Sequence, residues 1–126
     1  MGVVGVGGWS LHDEAISFSI RNNWLELAAM VIFVVGCICD HLTTAYGLML
    51  PNIHELNMNV LFLMGHGLWH IAEILIIMAG VGSGYLALKS ESNLVVNLST
   101  FMLMSGGLFR FYASIQNLTI ILNVIT

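Results

Sequence analysis

Charge is what this sequence has least of. Of 126 residues only three are Lys or Arg and seven Asp or Glu, 8% of the chain, where a soluble domain carries roughly 25%. So few ionic side chains cannot coat a folded particle of this length, which excludes a water-soluble monomer. Basic residues are scarcest: Arg21, Lys89 and Arg110 are the whole set. Without a basic patch, no nucleic-acid partner is expected, nor docking on anionic lipid headgroups through a polybasic segment. Proline occurs once, at Pro51, so almost nothing interrupts helix. The two cysteines, Cys37 and Cys39, lie two apart in an apolar stretch and point to different sides of a helix. They make no disulfide framework and leave the redox compartment undecided.

Apolar residues fill the space that charge leaves. They make up 58% of the chain, and the mean hydropathy is +0.92. The length allows one domain, residues 1–126. The expected fold is all-α and integral to a membrane, with three transmembrane helices behind an interfacial N-terminal segment. Residues 1–8 show no basic n-region or cleavage site and do not read as a signal peptide; Val6 stands where a myristoylation pattern needs Ser or Thr. Residues 9–20 mix Trp9, Leu11, Ile16, Phe18 and Ile20 with Asp13 and Glu14. They read as a short helix or turn at the interface, with Trp9 and Trp24 as anchors.

The spans are expected over about 24–50, 57–88 and 93–125, the first stopped by Pro51. The last two exceed the roughly 20 residues of a straight crossing. They must tilt, project beyond the bilayer, or break at Gly80–Gly84 and at Ser105–Gly107; four spans with a broken last helix is the alternative. Arg21 and Lys89 fall on one side of such a three-span chain. The positive-inside rule then places the N-terminus in the cytoplasm and the C-terminus outside, with the cell membrane as the expected location.

Ionisable groups inside a span cost a few kcal/mol each, so each needs a partner or a purpose. Here they fall on faces. Cys37, Asp40, His41 and Thr44 share one face of span one, Asn59, His66, His70 and Glu73 one of span two, and Arg110, Ala113, Ser114 and Asn117 one of span three. At 1.5 Å per residue, Asp40, His70, Glu73 and Arg110 all lie about 22–27 Å from the proposed cytoplasmic ends. A buried polar cluster of Asp40, His41, Thr44, His70, Glu73, Arg110 and Asn117 is therefore expected.

Three readings of that cluster stay open. A guanidinium between two carboxylates satisfies all three groups and fixes helix packing without chemistry. His66-x3-His70-x2-Glu73 offers two imidazoles and a carboxylate along one face, with Asp40 or His41 as a further ligand from span one, for a transition metal. It is not the zincin motif, which needs a Glu directly after the first His. Histidines and carboxylates at one depth also suit a proton or ion path.

The segment Asp40-His-Leu-Thr43-Thr44-Ala-Tyr-Gly47-Leu48, followed by Glu55-Leu-Asn57, resembles the D-x2-T-T-x2-G-L … E-x-N signature of a family of small multi-span membrane proteins known as a domain of unknown function, DUF5658. The family is found largely in archaea and some bacteria. The end of the chain, Arg110 to Leu118, is similar to that family's last helix, which carries an Asn near its end. Met58 departs from the Pro usual after E-x-N, and His66 and His70 stand where a basic residue is more usual. The resemblance covers about residues 36–120 and implies a fold more than an activity. Read physically, Asp40, Thr43, Glu55 and Asn57 are placed to clamp the hairpin between spans one and two.

A bundle this small, with short loops, leaves little room for a catalyst, and no catalytic activity of its own is expected. The expected role is a small accessory or scaffold subunit that packs against larger transmembrane subunits of a hetero-oligomeric complex, with membrane lipids around it. The alternatives are a metal-binding or proton-relaying subunit of a membrane oxidoreductase, for example one of copper monooxygenase type, and a homo-oligomeric ion or proton channel.

Overall fold

A computed structural model describes the backbone of residues 11–51 and 53–126, and the side chains of residues 23–51 and 53–126. These residues form α1 (Leu11–Gly47), α2 (Met58–Gly65), α3 (Trp69–Leu88) and α4 (Asn93–Ile125). Asn23–Gly47, Trp69–Leu88 and Asn93–Ile125 are long and apolar enough to cross a membrane. The protein is an all-α, multi-pass membrane protein. Of the expected interfacial segment, Trp9 lies outside the described residues, and the backbone from Leu11 onward is the first part of α1.

α1 stops three residues before Leu50. Leu48 donates to the Thr44 carbonyl at 3.0 Å and Leu50 to that of Gly47 at 3.0 Å, a tight turn that delivers the chain to Pro51. Span two is where expectation and structure part. It is not one helix over 57–88 but two, α2 and α3, divided at His66-Gly67-Leu68. The Leu68 amide donates to the Leu63 carbonyl at 2.8 Å and the Gly67 amide to that of Met64 at 3.0 Å. Gly67 has φ +69°. This is a Schellman ending, in which a left-handed residue closes the last carbonyls of a helix, and glycine adopts that conformation without a Cβ penalty. The glycines expected to break helices do not: α3 runs through Gly80–Gly84 and α4 through Ser105–Gly107. The last helix is therefore one span, and the four-span alternative falls.

Those unbroken glycines are contact points. A Cβ on Gly36 would stand 2.5 Å from the Gly107 carbonyl oxygen, and one on Gly107 would stand 2.8 Å from the Phe33 backbone. α1 and α4 thus cross backbone to backbone. On α3, Gly80 and Gly84 lie four apart and receive the Phe33 and Met30 side chains of α1. This small-x3-small spacing lets membrane helices approach closely, where packing and hydrogen bonds, rather than the hydrophobic effect, drive association. The apolar core is correspondingly slight, Ala29, Cys37, Ala87, Val96, Leu103 and Ile121. Only 22%, 17% and 17% of the three apolar windows is buried, and exposed large apolar side chains lie along each span.

Candidate functional site: a half-open polar cavity

The polar faces of α1, α3 and α4 meet near the end of the bundle that carries Gly47 and Trp69. Arg110 Nη1 of α4 donates to Asp40 Oδ2 of α1 at 2.8 Å and lies 3.4 Å from Glu73 Oε2 of α3. About two turns further along α4, Asn117 Nδ2 donates to Thr44 Oγ1 at 2.9 Å and stands 3.3 Å from Thr43 Oγ1 and 3.4 Å from Asp40 Oδ1. Thr43 turns its own hydroxyl to the Cys39 carbonyl at 2.9 Å, the back-bonding that lets a hydroxyl sit in a helix without an orphan proton. Arg110, Ser114 and Asn117 are one face of α4, and that periodicity brings all three onto α1.

Beside the ion pairs lie two imidazoles. His41 Nε2 and His70 Nδ1 are 2.8 Å apart, a hydrogen bond in which one nitrogen donates and the other accepts. The His41 ring stacks on Trp69, centroids 4.2 Å apart. His41 Nδ1 and Glu73 Oε1 are buried and have no hydrogen-bond partner among the described residues. Glu73 is the less satisfied of the two carboxylates, because Arg110 closes on Asp40. Cys37, buried beside Glu73, offers only a weak thiol donor.

These side chains wall a cavity of about 490 Å³ with Asp40, His41, Glu73 and Arg110 on its polar side, Glu55 and Asn57 at the α1–α2 connection, and Val60, Leu63, Trp69 and Ile76 on its apolar side. It is only partly enclosed, and Asn59 and Gln116 of its lining are exposed. No family model, curated protein or solved structure matches the chain.

The expected cluster of Asp40, Thr44, Glu73, Arg110 and Asn117 is thus assembled, with His41 and His70 paired alongside. Two expected groupings are not. The metal set fails at His66, whose Nδ1 is 2.8 Å from the Phe62 carbonyl and whose ring packs on Phe62. The break at Gly67 separates His66 from the α3 face that carries His70 and Glu73, so the His-x3-His spacing no longer describes one helix face. Asp40 and Glu73 are meanwhile engaged with Arg110, and among the described residues no three of His, Cys, Asp and Glu are placed to hold a metal ion. The hairpin clamp also divides. Glu55 Oε1 accepts from the Asn57 amide at 2.7 Å, and Asn57 Oδ1 caps α2 through the Asn59 amide at 3.0 Å. Asp40 and Thr43 bond instead toward α4.

One buried ionisable group was not expected. Glu26, fully buried in α1, accepts from Ser99 Oγ at 2.7 Å on one oxygen and from Thr100 Oγ1 on the other. The signal was present in the spacing: Glu26 precedes Cys37 by 11 residues, about three helical turns, and so extends the Cys37–Asp40–Thr44 face toward the start of the span.

Proposed function

We propose that this chain is a small accessory subunit of a larger hetero-oligomeric membrane complex, seated laterally against bigger transmembrane subunits. The observation that carries the reading is the half-open cavity. A charged wall that includes Arg110, Asp40 and Glu73, flanked by exposed polar groups, is costly against hydrocarbon, which satisfies neither charge nor hydrogen bond. A neighbouring protein closes it at less cost. The outward apolar residues on all three spans supply the rest of the contact area. Membership of the DUF5658-like group belongs to the same proposal and rests on the Asp40–Leu48 and Glu55–Asn57 segments, as does a cell-membrane location with the N-terminus in the cytoplasm, which rests on Arg21 and Lys89.

Extraction of the native membrane in mild detergent, followed by particle mass, subunit composition and metal content, tests the reading. Recovery with larger subunits in fixed ratio is the expected result. Recovery of this chain alone, or as a homo-oligomer, refutes the accessory role and leaves the channel alternative. A proton-relaying subunit is a second reading, favoured by the 2.8 Å His41–His70 bond with His41 Nδ1 unpartnered. In that case His70→Ala abolishes proton transfer by the intact complex while leaving its subunit composition unchanged.

A further inference from the structure

We infer that the cavity between α1, α2, α3 and α4 is a binding site for one alkylammonium group, with Glu73 as its anionic contact. The charge count comes first. Among the lining residues Asp40, Glu55 and Glu73 are acidic and Arg110 is the basic one, an excess of two negative charges. The His41–His70 pair restores at most one of them, since the accepting ring of their hydrogen bond is neutral. Asp40 is neutralised by Arg110 at 2.8 Å, whereas Glu73 has one long contact of 3.4 Å and one oxygen without a hydrogen-bond partner among the described residues. The Glu73 side chain is 9% exposed and lines the cavity.

A group that fits must therefore be cationic and must donate hydrogen bonds. The rest of the wall says what it is attached to. Val60, Leu63 and Ile76 give an apolar lining, and Trp69 adds an indole, suited to a short alkyl stem and to a cation near an aromatic ring. A bare metal ion uses none of this. The same chemistry is presented by a free amine and by a lysine side chain of a neighbouring subunit. The inference stands apart from the accessory role, since a free amine fills the site of an isolated chain equally well.

The test uses the full chain in phosphatidylcholine nanodiscs, with butylammonium as probe and butanol, butyrate and potassium as controls. Butylammonium is expected to bind once per chain and the controls not to bind. Glu73→Gln should weaken binding by about tenfold or more, the loss of one charge-assisted contact. Glu73→Asp should recover part of it, and Glu91→Gln, exposed between α3 and α4, should leave it unchanged. Should Glu73→Gln fail to fold by helicity and particle size, protection of Glu73 from carbodiimide modification by butylammonium in the unaltered chain decides instead. In native membranes, a carbodiimide cross-link from Glu73 to a neighbouring lysine assigns the site to a partner side chain. Binding by the isolated chain with no such cross-link assigns it to a free amine. Equal binding of butanol or potassium, undiminished binding by folded Glu73→Gln, or neither binding nor cross-link overturns the inference.

Discussion

The bundle buries carboxylates at both ends and satisfies them by different means. At the end near Lys89 and Asn93, Glu26 is fully buried and each of its oxygens takes a hydroxyl from α4. At the end near Gly47 and Trp69, Asp40 and Glu73 share one guanidinium and border a cavity. The first arrangement is closed, local and supplied by two adjacent residues, Ser99 and Thr100. The second is open, draws on three helices, and leaves Glu73 Oε1 and His41 Nδ1 without a hydrogen-bond partner among the described residues. The difference separates a polar group that holds helices together from a polar group that is available to bind. Hydrogen bonds that saturate a carboxylate give packing, while a half-satisfied carboxylate in the wall of a cavity keeps the capacity to accept another.

The largest test of this contrast removes the shared cation. Arg110→Leu leaves Asp40 and Glu73 facing each other without a counter-charge. Stripping one partner from a buried pair costs about 3 kcal/mol or more, discounted somewhat here because Arg110 is 30% exposed. A thermal melt of the variant in detergent should show a fall large enough to threaten folding; an unchanged melting temperature would mean that the ion pairs contribute nothing to the fold. Next comes the crossing that both ends depend on. Gly107→Ala drives a Cβ into the Phe33 backbone and should cost about 1–3 kcal/mol by overpacking. Gly82→Ala, where nothing lies within 4 Å, is its control and should be neutral or gain up to about 1 kcal/mol from helix propensity. If both variants melt alike, the close α1–α4 approach is not what orders the bundle.

The closed end should respond more gently than the open one. Glu26→Gln keeps an acceptor for one of the two hydroxyls and should lose about 1 kcal/mol, while Glu26→Ala loses about 2 kcal/mol by emptying the space under Ser99 and Thr100. Thr100 already shares its hydroxyl with the Val96 carbonyl at 2.9 Å, which limits the loss. Thermal melts of the two variants should rank in that order, and a Glu26→Ala loss exceeding that of Arg110→Leu would reverse the contrast between the ends. At Asn117 the expected loss is as small as that of Glu26→Gln. Asn117→Leu removes a 2.9 Å bond to Thr44 and should cost about 1 kcal/mol, read as a shift of a few degrees in the same melt.

Composition and periodicity by themselves determined that this chain is a helical membrane protein, because so few charges cannot coat a soluble particle; that the last apolar run is one span and not two was decided by the unbroken α4. They also pointed to the polar cluster, since Asp40, His70, Glu73 and Arg110 lie at matched depth, Thr44 and Asn117 share faces with Asp40 and Arg110, and a charge in hydrocarbon must find its opposite. The break at Gly67 was decided in three dimensions: Gly65-His-Gly67 is compatible with a continuous helix, and only the folded chain sets φ to +69° there and so takes His66 away from His70. The glycines of α3 and α4 read alike in sequence as breakers or as contact points, and only the approach of Phe33 and Met30 chose between them. Glu26 was missed because its partners, Ser99 and Thr100, are neutral hydroxyls, which carry no opposite charge to mark them in the sequence. The cavity likewise exists only once α2 turns aside from α3, because an empty space is a property of the packed helices and of none of them alone.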